Sequence, residues 1–368
     1  MIYLETGKMS WASTYGTGRY INELVKTNAY DYVICAASQE AYVPMTNRCG
    51  VVAFDDDQYR KELSDFMLNL KEGDMVHFPA NTIIEMFIPG YVKVIYTLHD
   101  LTPLFFYKHK KRNGNYFSDG MALSTKEWKA NVLYALKRAD CVLTVSENTK
   151  NDIVKYFAIP DNKIKVIYHG VDEQFERHSF EKIEEKRALY GLNNKKIIMS
   201  IAGAKHKNLV RVILAYYILC VKKHTENYCF VLVGAIIPKI DILTKVLQKK
   251  GNFFLTGRVS DEELVWLYNL SDCFIFASLY EGFGFPLLEA YACGTPVVAA
   301  NNSSLKELNG GYARLVNPRK ILQISNAMKE NLQRSEELIL NQIEYAKSFT
   351  WESFRKKHKK EIDELMKM

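Results

Sequence analysis

The chain has 368 residues, of which 48% are hydrophobic and 25% charged, and a formal net charge of +7 at neutral pH. That length exceeds one ordinary core and suits two domains of roughly 170 residues each, while the composition excludes disordered and low-complexity classes. A charge of this size suits either an anionic ligand or the anionic face of a membrane and decides neither.

The opening residues, Met1-Ile-Tyr-Leu-Glu-Thr-Gly-Lys, lack a basic region followed by a long apolar stretch and are expected to form a first strand rather than a secretion signal. Short β-branched runs then recur at Tyr32-Val-Ile-Cys-Ala, Val51-Val-Ala-Phe, Met75-Val-His-Phe, Val92-Lys-Val-Ile-Tyr-Thr, Cys141-Val-Leu-Thr-Val and Lys165-Val-Ile-Tyr. Longer segments with helical spacing separate them, which is the pattern of a parallel sheet covered by helices. After Gly170-Val-Asp-Glu-Gln-Phe a charged stretch runs to Lys196, so a domain boundary is expected near residue 172. A second series follows: Lys196-Ile-Ile-Met-Ser-Ile, Phe230-Val-Leu-Val, Asn252-Phe-Phe-Leu, Cys273-Phe-Ile-Phe, Pro296-Val-Val-Ala and Ala313-Arg-Leu-Val. The expected architecture is α/β, with doubly wound domains over residues 1–172 and 173–345 and a closing helix over 346–368, where Phe349-Thr-Trp-Glu-Ser-Phe-Arg has amphipathic spacing.

The longest apolar stretches, 212–221 and 230–238, are about half of the ~20 residues that a spanning helix needs, so none is expected. Seven cysteines, Cys35, Cys49, Cys141, Cys220, Cys229, Cys273 and Cys293, are never spaced as Cys-x-x-Cys. That argues against a disulfide framework and a zinc site, makes the cytoplasm the expected compartment, and leaves most of these residues as small buried hydrophobes. Two basic clusters, Lys108-His-Lys-Lys-Arg112 and Arg355-Lys-Lys-His-Lys-Lys360, read either as solvated faces or as contacts for an anionic surface. No aromatic and basic motif points to nucleic acid.

In doubly wound sheets the loops after the strands carry the ligand. Several candidates fall there: His99-Asp100, Gly170, Lys205 to Asn208, Gly257-Arg258 and Glu281. The richest segment is Ser278-Leu-Tyr-Glu-Gly-Phe-Gly-Phe-Pro-Leu-Leu-Glu-Ala-Tyr-Ala-Cys-Gly-Thr-Pro. Gly282 and Gly284 permit positive φ and close backbone approach, Pro286 suits a first helical turn, and Gly294 suits the exit. A helix N-terminus so prepared favours phosphate, and Glu289 can accept from sugar hydroxyls or compensate the helix dipole. Ser304-Leu-Lys-Glu307 reads as a capping box at a further helix start, another anion site.

With these residues in view, the chain resembles the retaining glycosyltransferases of family 4, which have the GT-B fold of two facing Rossmann-like domains. The segment from Ser278 resembles the family's pair of glutamates eight positions apart, and Gly257-Arg-Val-Ser-Asp-Glu-Glu-Leu-Val-Trp-Leu-Tyr resembles the loop and helix before it. Asn301-Asn-Ser-Ser-Leu-Lys-Glu-Leu, Tyr15-Gly-Thr-Gly-Arg-Tyr-Ile, Thr97-Leu-His-Asp-Leu-Thr-Pro-Leu and His169-Gly-Val-Asp also match.

The resemblance implies transfer, with retention, of a hexose or deoxyhexose of mannose, glucose or rhamnose type from a nucleoside diphosphate sugar. The acceptor would be a saccharide or lipid-linked saccharide in O-antigen or capsule synthesis, with no metal or other cofactor. It implies an acceptor-binding first domain, a donor-binding second domain and a last helix returning to the first. The protein would act in the cytoplasm or peripherally on the inner membrane face.

By the same resemblance Glu289 would bind the donor ribose and Glu281 the hydroxyls of the transferred sugar. The backbone of Gly282, Phe283, Gly284 and Phe285 would line that sugar, Val259 would face the base, and Ser304 and Leu305 would offer N–H groups to the diphosphate. Gly16 and Gly18 would let a loop of the first domain approach the donor phosphate or the acceptor, and His99 would lie near the sugar. His169 and Asp172 are expected to pack or hinge rather than react. Lys207, followed by Asn208, is the expected diphosphate cation. Relatives often have Arg before this Lys; here His206 stands there, so Lys205, His206 or Arg258 would supply the second charge. Two other readings of the scaffold are a sugar-nucleotide epimerase, which product analysis separates from transfer, and a non-catalytic partner subunit, which usually shows decay of the carboxylates or of His99, whereas Glu281, Glu289 and His99 are all present here.

Overall fold

The computed structural model describes residues 1–7, 16–38, 49–80, 86–106, 117–118, 121–122, 125–223, 227–234 and 252–368. It divides into two compact units, one of Met1–Gly170 with Trp351–Met368 and one of Val171–Thr350.

The first unit is built on β1 (Ile2–Gly7), β2 (Tyr32–Ala36), β3 (Gly50–Phe54), β4 (Met75–Phe78) and β5 (Lys93–Leu98). A short antiparallel pair follows, β6 (Phe117–Ser118) and β7 (Met121–Ala122), for which no expectation stood. β8 (Cys141–Thr144) and β9 (Ile164–Val166) complete the main sheet, whose order is β3-β2-β1-β4-β5-β8-β9 with all pairs parallel. β4 and β8 are buried at every position, which is why their residues are mostly apolar rather than alternating with solvent-facing ones, the buried His77 and Thr144 being the polar members. Strand ends shift where a turn claims a residue. Val92, expected in a strand, donates its N–H to the Pro89 carbonyl, so β5 starts at Lys93.

The second unit holds β10 (Lys196–Ile201), β11 (Tyr228–Val233), β12 (Phe253–Gly257), β13 (Cys273–Phe276), β14 (Val297–Ala300) and β15 (Arg314–Val316). Their order is β12-β11-β10-β13-β14-β15, again all parallel. A core of Ile213, Tyr216, Phe230, Ile275 and Met328 fills the space between this sheet and the helices Leu209–Lys223 and Ile321–Asn331.

The last helix, Trp351–Lys367, buries Trp351, Phe354, His358, Ile362 and Leu365, a stripe at three- and four-residue spacing. It lies on the helix Thr17–Val25 of the same unit, where Arg355 pairs with Glu23 and His358 Nε2 meets Tyr20 Oη at 3.0 Å. The basic cluster at 355–360 is therefore not a uniform solvated face: Arg355 and His358 turn inward, while Lys356, Lys357, Lys359 and Lys360 are exposed. The cluster at 108–112, Tyr15 and residues 235–238 lie outside the described residues. Among the described residues no helix is long and apolar enough to cross a membrane. Cys141, Cys229, Cys273 and Cys293 are buried, and burial pushes the Cys141 and Cys273 thiols up to about 12.

Three histidines of the first unit, His77, His169 and His358, are no more than 2% exposed. Burial, reinforced for the first two by neighbouring imidazoles, holds His77 and His169 well below the ordinary histidine value and burial alone takes His358 to about 3. Because the folded values lie below the unfolded one, the unfolded chain takes up protons first as pH falls. Stability is therefore full above about pH 6.5 and is lost below it, by about 1.4 kcal/mol per pH unit for each such histidine. Urea unfolding followed by tryptophan fluorescence should show a midpoint that falls clearly between pH 7.5 and 5.5; a constant midpoint would contradict the burial of neutral imidazoles.

Candidate functional site

The sheet of the second unit reverses its winding between β10 and β13, and in open α/β sheets the crevice at the carboxyl ends beside such a switch receives the ligand. Three loops meet there. After β10, residues Lys205–Lys207 make one 3-10 turn, and Asn208 takes a left-handed conformation with φ 60°, which Asn tolerates better than most residues. The Asn208 amide donates to the carbonyls of Ala277 (3.0 Å) and Pro318 (2.6 Å), and its oxygen accepts from Arg211 at 2.9 Å. Expected among the donor contacts, Asn208 is 5% exposed with its amide fully engaged by the protein, so it acts as a tie between loops.

The second loop follows β13. Leu279 N–H donates to the His206 carbonyl at 2.7 Å, docking this loop on the first. The result brings Lys207 Nζ to 2.9 Å from Glu281 Oε1, with His206 Nε2 at 4.0 Å from the same oxygen. Lys207 Nζ also lies 4.8 Å from the centre of the Phe276 ring, a cation–π contact. The two charged side chains are 18% and 12% exposed. Loss of either member of a pair this sheltered leaves a poorly solvated charge.

The third loop follows β14 and fixes the second. Asn302 Nδ2 donates to the Leu279 carbonyl at 3.0 Å, and Glu281 N–H donates to Ser303 Oγ at 3.1 Å. Ser304 Oγ donates to the Glu281 carbonyl at 3.0 Å and also to that of Phe283. Glu281 is thus held at both backbone polar groups, which aims its carboxylate at Lys207. The capping box expected from Ser304 to Glu307 does not form. The helix is Ser303–Glu307 with Asn302 at the N-cap, so Ser304 already lies inside it and spends its hydroxyl on the neighbouring loop. The N–H groups of Ser303, Ser304 and Leu305 fall in the first turn, where no carbonyl of the helix can accept them.

Gly284 caps the helix Phe285–Ala292, which has Pro286 in its first turn. Of the two loop glycines it is Gly284 that adopts the positive φ, 124°. A Cβ there would also stand 2.8 Å from Leu305 Cδ2. The helix ends as Gly294 suggests, in a left-handed residue with φ 75°, with Gly294 N–H bonded to the Tyr291 carbonyl and Thr295 N–H to that of Ala290. Phe283 is buried, with its ring edge-on to Phe285 at 5.2 Å.

The two carboxylates separate in role. Glu281 stands with Lys207 and His206, whereas Glu289, 4% exposed, accepts from the Tyr268 hydroxyl at 3.1 Å. Lys205 and Arg258 are exposed, and Val259 is half-buried after Gly257. In the first unit His99 follows β5, and its Nε2 donates to the Pro79 carbonyl at 2.8 Å. A carbonyl only accepts, so Nε2 carries the ring proton, and burial lowers the tendency of His99 to take a second one. Gly16 caps the helix Thr17–Val25 and Gly18 is buried within it. His169 packs against Trp351 and Phe354. Among the described residues no group of three or more His, Cys, Asp or Glu side chains is gathered to hold a metal ion.

Sequence reasoning quoted segments that contain Asn302, Ser303, Tyr268 and Phe276 but gave none of the four a role of its own. The first two sit at the carboxyl end of β14, a position that itself marks candidates. Tyr268 shares the buried face of the helix Asp261–Leu270 with Leu264 and Val265 and looks like plain core until its hydroxyl is traced.

A family model described as "Glycosyltransferase Family 4" matches residues 71–175, and one described as "Glycosyl transferases group 1" matches residues 181–349. The serotype-specific mannosyltransferase WbdA of Escherichia coli is 28% identical over 269 residues, 70% of this chain and 32% of WbdA. The chain therefore spans about a third of that relative's length. The O-antigen chain mannosyltransferase B of Escherichia coli is 28% identical over 225 residues, 60% of this chain and 59% of that protein. The crystal structure of Anabaena HepE in complex with UDP superposes with a TM-score of 0.73 and 16% identity, over 99% of this chain and 100% of HepE. The fold is GT-B. The chain belongs to the family 4 glycosyltransferases.

Gly284 supplies a direct check on the loop. A side chain at its φ is strained by on the order of 1–3 kcal/mol. Gly284→Ala should lower the unfolding free energy in urea by that amount, and a loss below about 0.5 kcal/mol would show that the loop relaxes freely.

Proposed function

We propose that the protein is a glycosyltransferase that moves a mannose-type hexose from a nucleoside diphosphate sugar to a saccharide or lipid-linked saccharide during surface polysaccharide synthesis. The observation that carries this reading is the Lys207–Glu281 pair at the β10/β13 switch, beside the first-turn N–H groups of Ser303, Ser304 and Leu305. Support for the sugar and setting comes from the names of WbdA and the O-antigen chain protein as mannosyltransferases, and support for a nucleotide donor from the UDP bound by HepE.

In this reading the donor diphosphate exchanges with Glu281 for the Lys207 ammonium. The first-turn N–H groups of Ser303, Ser304 and Leu305, after β14, bind phosphate oxygens, so the charge that develops on the leaving group is met by fixed donors. Glu281, released from Lys207, accepts from hydroxyls of the transferred sugar. The bond from the anomeric carbon to the phosphate oxygen breaks as a bond to the acceptor oxygen forms on the same face, and the departing phosphate takes the acceptor proton. The anomeric configuration is retained and no metal ion takes part. His99 is assigned to the transferred group, and Glu289, through its tie to Tyr268, to the ribose side of the donor.

Lys207→Ala should lower kcat/KM by about 10²-fold or more, with activity unaffected by a chelator. Transfer should be assayed against UDP-, GDP-, dTDP- and ADP-sugars, with products read by mass spectrometry and the anomeric configuration by NMR. Full activity of Lys207→Ala, or activity lost in chelator and restored by Mg²⁺, would overturn the mechanism. A nucleotide-sugar isomer formed without any acceptor would overturn the transfer itself.

A further inference from the structure

One feature of the first unit is left unused by that mechanism. A buried run of hydrogen bonds links Tyr30 Oη to His77 Nδ1 (2.6 Å), His77 Nε2 to Thr97 Oγ1 (2.8 Å), Thr97 Oγ1 to Tyr20 Oη (2.9 Å) and Tyr20 Oη to His358 Nε2 (3.0 Å). It joins β4, β5, the helix Thr17–Val25 and the last helix. Phenylalanine and leucine would fill the same volume without the cost of desolvating these groups, and polar side chains buried to this degree are tolerated only when paired and tend to specify one geometry.

Tyr20 is the hub of the run and also the neighbour of His99. Its ring meets that of His99 edge-on at 4.7 Å with an interplanar angle of 90°, and it touches His169, Phe354 and His358 as well. The hydroxyl, pinned by Thr97 and His358, prevents the ring from swinging. His169 stacks on His99 at 5.9 Å and is itself packed by Trp351 and Phe354. The His99 imidazole, with its Nε2 proton committed to Pro79, is therefore bordered by two rings that both rest on the last helix.

We propose that Tyr20 is a positioning residue for His99, and that the last helix, through His358 on Tyr20 and through Trp351 and Phe354 on His169, holds the imidazole in one orientation and one tautomer. The inference rests on the assignment of His99 to the transferred group. It gives the final 18 residues of the first unit a role in the reaction that no side chain of that helix plays by itself. The effect on turnover passes through orientation, so it should appear in kcat more than in donor KM.

The test uses the full chain with ¹⁵N-labelled histidine, the His99 signals being assigned by their absence from His99→Ala. At pH 8 the wild type should show His99 as a single tautomer protonated at Nε2. Tyr20→Phe, which keeps the ring and removes only the hydroxyl, should give exchange-broadened or mixed-tautomer signals and lower kcat about tenfold with donor KM within twofold. Adding Tyr20→Phe to His99→Ala should cost nothing further. His358→Gln provides the same cycle should Tyr20→Phe fold poorly.

An unchanged His99 spectrum in both variants, or losses that multiply with His99→Ala, would overturn the positioning role. His99→Ala turning over at the wild-type rate would instead overturn the assignment of His99, and the spectrum would then report a structural clamp alone.

Discussion

The second unit is organised around the ion pair between Lys207 and Glu281. Neither residue is placed by its own segment. The 3-10 turn before Asn208, the Asn208 ties to Ala277 and Pro318, the Leu279 bond to His206 and the Ser303 and Ser304 bonds to Glu281 converge from the ends of β10, β13 and β14. Their joint effect is to leave one cation and one carboxylate 2.9 Å apart in a sheltered crevice. Such a pair is marginal as a stabilising device, because partial burial removes water from both charges. In the proposed mechanism it serves as a standing arrangement that the donor diphosphate enters by substitution, each side chain being neutralised by the other until then.

Much of this was legible in the sequence for identifiable reasons. Parallel strands buried on both faces leave unbroken apolar runs, so the two sheets could be read off directly, and ligand residues cluster after such strands. Gly284, Pro286 and Gly294 each demand a backbone state, so the glycine loop, helix start and helix stop could be placed from residue type alone. What stayed hidden depends on partners distant in sequence. Lys207 and Glu281 were each singled out, yet nothing in their spacing of 74 residues says that they pair. Ser304 looked like a helix cap because serine usually is one; tertiary demand from Glu281 and Phe283 set its use instead. Glu281 and Glu289 stand eight positions apart in one segment, yet one meets Lys207 and the other the Tyr268 hydroxyl.

The first unit shows a different economy. Its polar residues are drawn into the interior rather than presented at loop ends: His77, Thr97, Tyr20 and His358 lie between elements that an apolar core could have joined more simply. The basic run at the end of the chain illustrates the same point. Two residues three apart face inward, Arg355 onto Glu23 and His358 onto Tyr20, so a stretch that reads as a charged surface also makes an internal contact. Charge runs report composition; the helical period decides which members meet solvent.

The central claim is that Lys207 leaves Glu281 for the donor's diphosphate. Calorimetric titration with UDP, GDP and the matching monophosphates measures this most directly. Lys207→Gln should weaken diphosphate binding at least tenfold while scarcely affecting the monophosphate, and Glu281→Gln should preserve or tighten the free diphosphate by removing the competing carboxylate. Unchanged diphosphate affinity in Lys207→Gln, or equal weakening by Glu281→Gln, would contradict it.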